Sequence, residues 1–203
     1  MNKGMIALAL LCVLAMTGIS AATPLNLTLG LPDVTSGFLS VGYSTATHQL
    51  TAGGYAFSLE INGVGGPDYS ISAGSFSLSA TVDQAGGLNG GTFSIGGTIS
   101  GIGATTGTLL MGNISSFGFA NAPGGEIFEF TATVTGGDLA ALYGPSTGII
   151  LDAYDSGFNG TFLGSFANTG FGVSDTAPVV PEPATLLLAL IGGIGLAARR
   201  RRH

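Results

Sequence analysis

Three glutamates, Glu60, Glu126 and Glu129, are the residues of this chain best suited to acid–base chemistry. Glycoside hydrolysis needs only two carboxyl groups, which lie about 5 Å or about 6.5–9.5 Å apart across a cleft. Glu126 and Glu129 are three positions apart and would therefore lie on opposite faces of a strand. The chain also lacks Trp, a common lining residue of sugar-binding clefts. We predict that the protein is not an enzyme, and a carboxylate glycoside hydrolase is the least favoured alternative.

Two other patterns typical of catalytic sites lack the partners that they need. Residues 144–148 match the Gly-x-Ser-x-Gly elbow, which requires a strand-to-helix turn and a histidine further along the chain. The only later histidine is His203, in the basic tail, so we interpret this segment as a turn. His48 lies in a polar stretch without a placed partner, and we expect it to be a surface side chain.

Asp152, Asp155 and Asn159 form a group of hard oxygen ligands that could hold Ca²⁺ together with loop carbonyls. Their spacing does not match an EF-hand loop, so we predict an ordinary polar turn and no cofactor, with calcium binding as the alternative. The single cysteine, Cys12, lies in the first apolar run. The rest of the chain therefore has neither disulfides nor thiolate chemistry.

The basic residues lie only at the two ends of the chain. Lys3 is near the start and Arg199, Arg200, Arg201 and Arg202 are near the end, whereas all eleven acidic residues lie between them. A segment of this length without Lys or Arg cannot neutralise phosphate, which excludes nucleic acid as a partner. Both basic clusters flank apolar runs, and by the positive-inside rule both remain cytoplasmic while the intervening chain is exported.

The first apolar run predicts a cleavable signal peptide over residues 1–22, with the cut after Ala22. The expected partners at this end are the Sec translocon and signal peptidase. The second apolar run, residues 184–198, would span roughly 22 Å as a helix, which is short of the roughly 30 Å hydrocarbon core. We predict a marginal transmembrane helix in the inner membrane. Just before it, the prolines of Pro181-Glu182-Pro183 hold the chain extended.

Residues 180–188, the apolar run that follows and the four arginines resemble the PEP-CTERM sorting signal of Gram-negative bacteria that make exopolysaccharide. The same tail is also known as an ice-binding protein C-terminal domain, but this label is not a basis for predicting whether the protein binds ice. The resemblance covers about the last 25 residues of the chain. It implies that an exosortase recognises Pro181, Glu182 and Pro183, removes or exchanges the tail, and so releases the protein from a transient inner-membrane anchor to the surface or matrix.

The segment between the two signals, residues 23–178, has the length of one domain, and residues 179–203 form the sorting signal. Apolar residues alternate with polar ones at four places, for example at Phe76, Leu78, Ala80 and Val82 and again at Tyr55, Phe57, Leu59 and Ile61. Gly-Gly doublets separate these stretches, and residues 138–143 predict one short helix. We predict an all-β, jelly-roll-like antiparallel sandwich, flanked by the signal helix and the transmembrane helix, with a β-solenoid as the competing architecture.

The function predicted from these observations is that of an exported cell-surface or extracellular-matrix protein with a structural or adhesive role in an exopolysaccharide matrix. A carbohydrate- or calcium-binding module is the alternative. Extracellular polysaccharide and the exosortase are the expected partners outside the cytoplasm.

Overall fold

The structure, a computed structural model, describes residues 23–63, 66, 68–102, 105–122 and 125–180. The predicted signal helix and transmembrane helix lie outside these residues. Within the described part of the chain, no helix is long and apolar enough to cross a membrane. The strands are β1 (Asp33–Ser44), β2 (Gln49–Glu60), β3 (Asp68–Val82), β4 (Leu88–Ile99), β5 (Thr105–Ala122), β6 (Gly125–Gly136), β7 (Ser146–Asp152), β8 (Phe166–Ala167) and β9 (Gly172–Ala177), and the short helix α1 is Ala140–Tyr143.

The strands form a closed antiparallel barrel and not a sandwich. Each strand from β1 to β7 pairs with the next, β7 pairs with β9, and β9 returns to pair with β1. Eight strands thus close the sheet, and the two-residue β8 adds to the end of β1. The prediction of an all-β antiparallel fold is confirmed, but the sandwich is wrong. A curled sheet and a sandwich both bury one face, so the period-two pattern cannot distinguish between them.

Large apolar side chains fill the interior of the barrel. The stripe predicted for β3 is buried at Phe76, Leu78, Ala80 and Val82. The stripe predicted for β2 is wrong in part, because Tyr55 and Phe57 are exposed while Leu59 is buried. Phe57 is an extra residue in β2, since Thr35 pairs with Ser58 and the next residue of β1 pairs with Ala56. A bulge of this kind reverses which alternate positions face inward.

The connection between β7 and β9 closes one end of the barrel with aromatic rings. Phe158, Phe162 and Phe166 come from this connection, and the ring centroid of Phe162 lies 4.8 Å from that of Tyr43 and 5.3 Å from that of Phe119. The opposite end is covered by α1, where the Tyr143 hydroxyl donates a hydrogen bond to the carbonyl of Thr176 at 2.9 Å. The short helix predicted over residues 138–143 is confirmed.

Replacing Phe162 should lower the stability of the whole barrel because its ring is 1% exposed among six other aromatic rings. We expect Phe162→Ala to reduce the free energy of unfolding by about 3–5 kcal/mol, through lost transfer energy and the cavity that remains. The adjacent Leu163 is 69% exposed, so Leu163→Ala is the matched control and should change stability little. Chemical denaturation of both variants tests this, and equal stabilities would contradict the packing.

Candidate functional site

The residues predicted to direct sorting, Pro181, Glu182 and Pro183, lie outside the described residues, as do Arg199, Arg200, Arg201 and Arg202. Val180, the last of the described residues, directly precedes Pro181. The geometry at this point therefore shows how the barrel meets the predicted sorting signal.

Residues 23–31, which we call the strap, run across the outer face of β5, β6 and β7. The backbone of the strap lies so close to β5 that a Cβ on Gly118 would come within 2.5 Å of the carbonyl oxygen of Thr23. A Cβ on Gly148, in β7, would come within 2.6 Å of the side chain of Leu29. Glycine at these two positions leaves the space that the strap occupies.

Glu129, in the middle of β6, holds the strap through its carboxylate. The side chain is 6% exposed, and its two oxygens accept hydrogen bonds from the backbone N–H groups of Asn26 and Leu27, each at 2.9 Å. Because residues 4–198 contain neither Lys nor Arg, this buried charge depends on backbone donors. Hydrogen bonds to an ionised acceptor are stronger than neutral ones, and they satisfy two N–H groups that the strap could not pair within itself.

The strap ends in a two-residue pairing with the last part of the described chain. Leu29 and Val179 form an antiparallel bridge. The N–H of Gly30 donates to the carbonyl of Pro178 at 2.9 Å, and the N–H of Val180 donates to the carbonyl of Thr28 at 2.8 Å. The residue that precedes Pro181 is thus hydrogen-bonded to the segment that directly follows the predicted signal peptide.

The three glutamates considered for glycoside hydrolysis are not brought together. Both oxygens of Glu129 are occupied by the strap. Glu60 ends β2, whereas Glu126 begins β6, and in this antiparallel barrel the end of β2 and the start of β6 lie at opposite ends. One carboxylate oxygen of Glu126 faces the N–H of Ser156 at 3.5 Å. The described chain therefore offers no pair of these carboxyl groups across a cleft.

Asp152, Asp155 and Asn159, the residues considered for Ca²⁺, are placed at and after the end of β7. The side-chain oxygen of Asn159 accepts hydrogen bonds from the N–H and the hydroxyl of Thr161, at 3.1 and 2.8 Å. Burial raises the pKa of Asp152, which disfavours the charged form that a metal needs. Across the described residues, no three His, Cys, Asp or Glu side chains are grouped so that they could hold a metal ion.

His48 and the Gly-x-Ser-x-Gly segment, the two other patterns typical of catalytic sites, lie at connections between elements of the barrel. His48 lies in the turn between β1 and β2, with Nδ1 3.2 Å from the hydroxyl of Tyr43, which itself donates to the carbonyl of Val82 at 3.0 Å. In the Gly-x-Ser-x-Gly segment, Gly144 follows α1 and Ser146 begins β7. This is a helix-to-strand turn, the reverse of a nucleophile elbow. The interpretation of the segment as a turn is confirmed for Gly144 and Pro145, whereas residues 146–148 belong to β7.

A row of carboxyl groups across four strands was not predicted from the sequence. Asp33 in β1 pairs with Glu60 in β2, which pairs with Asp68 in β3, and Asp175 in β9 pairs with Thr35, two residues along β1 from Asp33. Burial raises the pKa of Asp33 to about 7, and the negative charges of Asp175 and Glu60 add to the effect. A hydrogen bond from the Thr176 N–H opposes it. These acids are distant in the sequence, and only strand register could reveal the row.

The Glu129 contacts predict that the strap detaches when the carboxylate is removed. We expect Glu129→Ala to lower the free energy of unfolding by about 2–4 kcal/mol, because two N–H groups lose their acceptors. Amide hydrogen exchange should speed up most at Asn26, Leu27, Gly30 and Val180, and in the barrel strands only as far as the lower free energy of unfolding requires. Glu129→Gln keeps the shape and one acceptor oxygen, so its effect should be intermediate.

A disulfide supplies the control for this prediction. Leu29 and Val179 form a non-hydrogen-bonded antiparallel pair, with Cα atoms about 4.5 Å apart, a separation that a disulfide can bridge. In the Glu129→Ala background, the oxidised Leu29→Cys/Val179→Cys pair should restore slow exchange at Gly30 and Val180, and reduction should abolish it. Unchanged exchange in Glu129→Ala itself would show that Glu129 does not hold the strap.

The raised pKa of Asp33 predicts that stability falls as pH rises. Between its ordinary value of 3.8 and about 7, the folded protein keeps a proton on Asp33 that the unfolded chain has released. The stabilisation from this proton is complete below about pH 4 and is lost by about pH 7. Asp33→Asn, which retains an oxygen for the Thr176 N–H, should flatten the dependence of Tm on pH in this window. Asp138→Asn, at an exposed position outside the row, should leave the slope unchanged, and an identical slope in Asp33→Asn would contradict the assignment.

Comparison with known proteins identifies the segment that begins beside the strap. Residues 179–202 match the family model of the PEP-CTERM protein-sorting motif. The chain has no significant match among curated proteins, and none among solved structures. The match begins at Val179, the residue that pairs with Leu29. The chain therefore carries a PEP-CTERM sorting motif, the mark of an exported protein that an exosortase processes, and this motif starts where the barrel ends.

Proposed function

We propose that this chain is a non-enzymatic structural or adhesive protein of the cell surface or the extracellular polysaccharide matrix. It is exported as a precursor through the Sec translocon, trimmed by signal peptidase, and held briefly in the inner membrane by residues 184–198. An exosortase then processes it near Pro181-Glu182-Pro183. The observation that carries this proposal is the PEP-CTERM motif at residues 179–202, which begins within the strap pairing.

The form of the barrel supports a role as cargo of the sorting system. Its interior is filled by buried side chains such as Phe128, Phe130 and Leu110, and its ends are covered by α1 and the β7–β9 connection. Among the described strands, closure leaves no long unpaired edge that could pair with other chains during export. A compact barrel whose first and last described segments meet at one place suits a protein that is displayed by its C-terminal end.

The charge of the exported part favours surroundings that carry no strong negative charge. Residues 23–180 contain ten carboxyl groups and no Lys or Arg. The negative charge of these groups repels anionic polymers and other anionic partners. Within a polysaccharide matrix, neutral glycans are therefore the favoured neighbours of this protein. The second candidate function, carbohydrate binding, is favoured by a set of exposed aromatic side chains, Phe38, Tyr55, Phe57 and Phe171.

Replacing Pro181-Glu182-Pro183 by three alanines tests the proposal in a host that has an exosortase. We expect the full-length variant to remain in the inner membrane, because the extended recognition tripeptide is lost. The wild-type protein should reach the surface with a shortened C-terminus, as measured by fractionation and mass spectrometry. Pro145→Ala, an exposed proline in a turn of the barrel, is the control and should behave as wild type. Normal release of the triple-alanine variant would overturn the sorting assignment.

A further inference from the structure

An exposed group of aromatic and apolar side chains lies on the outer face of β1, β2 and β9, where most outward positions of the barrel carry Ser, Thr or Gly. We call this group the aromatic platform. Its members are between 41% and 64% exposed, and they are Phe38, Tyr55, Phe57, Phe171 and Val173. Contiguous exposed apolar surface of this kind typically marks an interaction site.

Two β-bulges create the platform. Phe38 is the extra residue of β1, since Gly37 pairs with Val173 and Leu39 pairs with Gly172. Phe57 is the extra residue of β2 on the adjacent strand. Because of these two extra residues, both phenylalanines point outward, which regular alternation along the strands would not produce. Phe38 also has a φ of +51°, a left-handed conformation that is costly for a residue with a large side chain. Strained residues of this kind cluster at functional sites.

The rings of the platform hold each other in place. The centroid of Phe38 lies 5.7 Å from that of Phe57 and 5.1 Å from that of Phe171, both in edge-to-face contact. The ring of Phe57 lies over Gly37, where a Cβ would approach it to 2.9 Å. A ligand that binds these rings would therefore have little side-chain motion to immobilise, which favours binding.

A polar row borders the platform on the same face. Thr35 of β1 pairs with Ser58 of β2 on one side and with Asp175 of β9 on the other. Two residues along β1, on the same face, Gly37 pairs with Tyr55 and Val173 of the platform. The row therefore presents two hydroxyl groups and a carboxyl group beside apolar rings. Sugar rings have the complementary chemistry, with apolar C–H faces and hydroxyl groups at their edges.

We propose that the aromatic platform binds a neutral polysaccharide. The rings of Phe38, Phe57 and Phe171 stack against the apolar faces of successive sugar rings, and the Thr35 row hydrogen-bonds to their hydroxyl groups. This inference rests on the proposed function, and it names the surface and the ligand class through which the protein would join the matrix. A polyanionic glycan is disfavoured because residues 23–180 contain neither Lys nor Arg.

The size of the platform favours a glycan chain over a second copy of the protein. From the exposed fractions, its five side chains offer about 500 Å² of accessible surface. A stable protein interface buries about 800 Å² on each partner, so this patch alone would not hold a dimer together. A narrow ligand such as a polysaccharide chain can be bound by a surface of this area.

Binding of the processed protein, purified from its native host, to an insoluble neutral glucan tests the proposal, with a soluble polyuronate as the anionic probe. We expect Phe38→Ser/Phe171→Ser to weaken glucan binding at least tenfold, and neither form to bind the polyuronate. Leu163→Ser, which removes an equally exposed apolar side chain outside the platform, is the matched control and should bind as wild type. Thermal unfolding and gel filtration of each protein accompany the measurement.

Each other outcome has one meaning. Equal glucan binding by the platform variant, or no binding by the wild type, would overturn the proposal. If the wild type is a dimer in gel filtration and the platform variant is a monomer, a second copy of the protein, and not a glycan, covers the platform. If the platform variant unfolds at a lower temperature, Phe171→Ser alone, which leaves both bulges unchanged, replaces it. Failure of glucan binding with normal surface delivery would remove only this inference, whereas failed delivery of the wild type would remove the proposed function.

Discussion

β1 is hydrogen-bonded along one side to β2 and along the other to β9, and this double pairing joins the two ends of a single sheet. Because Val34 pairs with Thr176, the start of β1 and the end of β9 lie at the same rim of the barrel. The strap that precedes β1 and the residues that follow β9 therefore meet there, and Leu29 can bridge to Val179. The closure that encloses the core thus also determines where the sorting motif begins.

Residues 4–198 contain neither Lys nor Arg, so the barrel must accommodate its carboxyl groups without ion pairs to these side chains, and it does so in two ways. Glu129 is buried as a carboxylate that two backbone N–H groups satisfy. Asp33 lies in a row of acids, and its raised pKa allows it to be neutral in the folded state. The first arrangement secures the strap, whereas the second makes the start of β1 sensitive to pH.

The bulges in β1 and β2 have a structural and a functional consequence. They change which alternate residues face inward, so that Leu39 and Leu59 enter the core, and they leave Phe38 and Phe57 outside. Bulges also increase the local bend of a strand, which helps a sheet to curl until it closes. The same two irregularities that assist closure therefore generate the aromatic platform. For this reason the platform is coupled to the geometry of the barrel and is held rigidly.

The amino-acid sequence by itself determined the all-β class, the short helix and the location of the sorting motif, because these depend on local alternation, turn residues and a contiguous tail. The buried stripe of β3 follows from alternation in the same way. Tertiary structure alone decided that the sheet closes, that Tyr55 and Phe57 face outward, and that Glu129 binds the strap, since each depends on pairing between residues far apart in the chain. A single extra residue in a strand reverses which of the following side chains face inward. The position of this extra residue is set by pairing with the neighbouring strand, so no local sequence pattern reveals it.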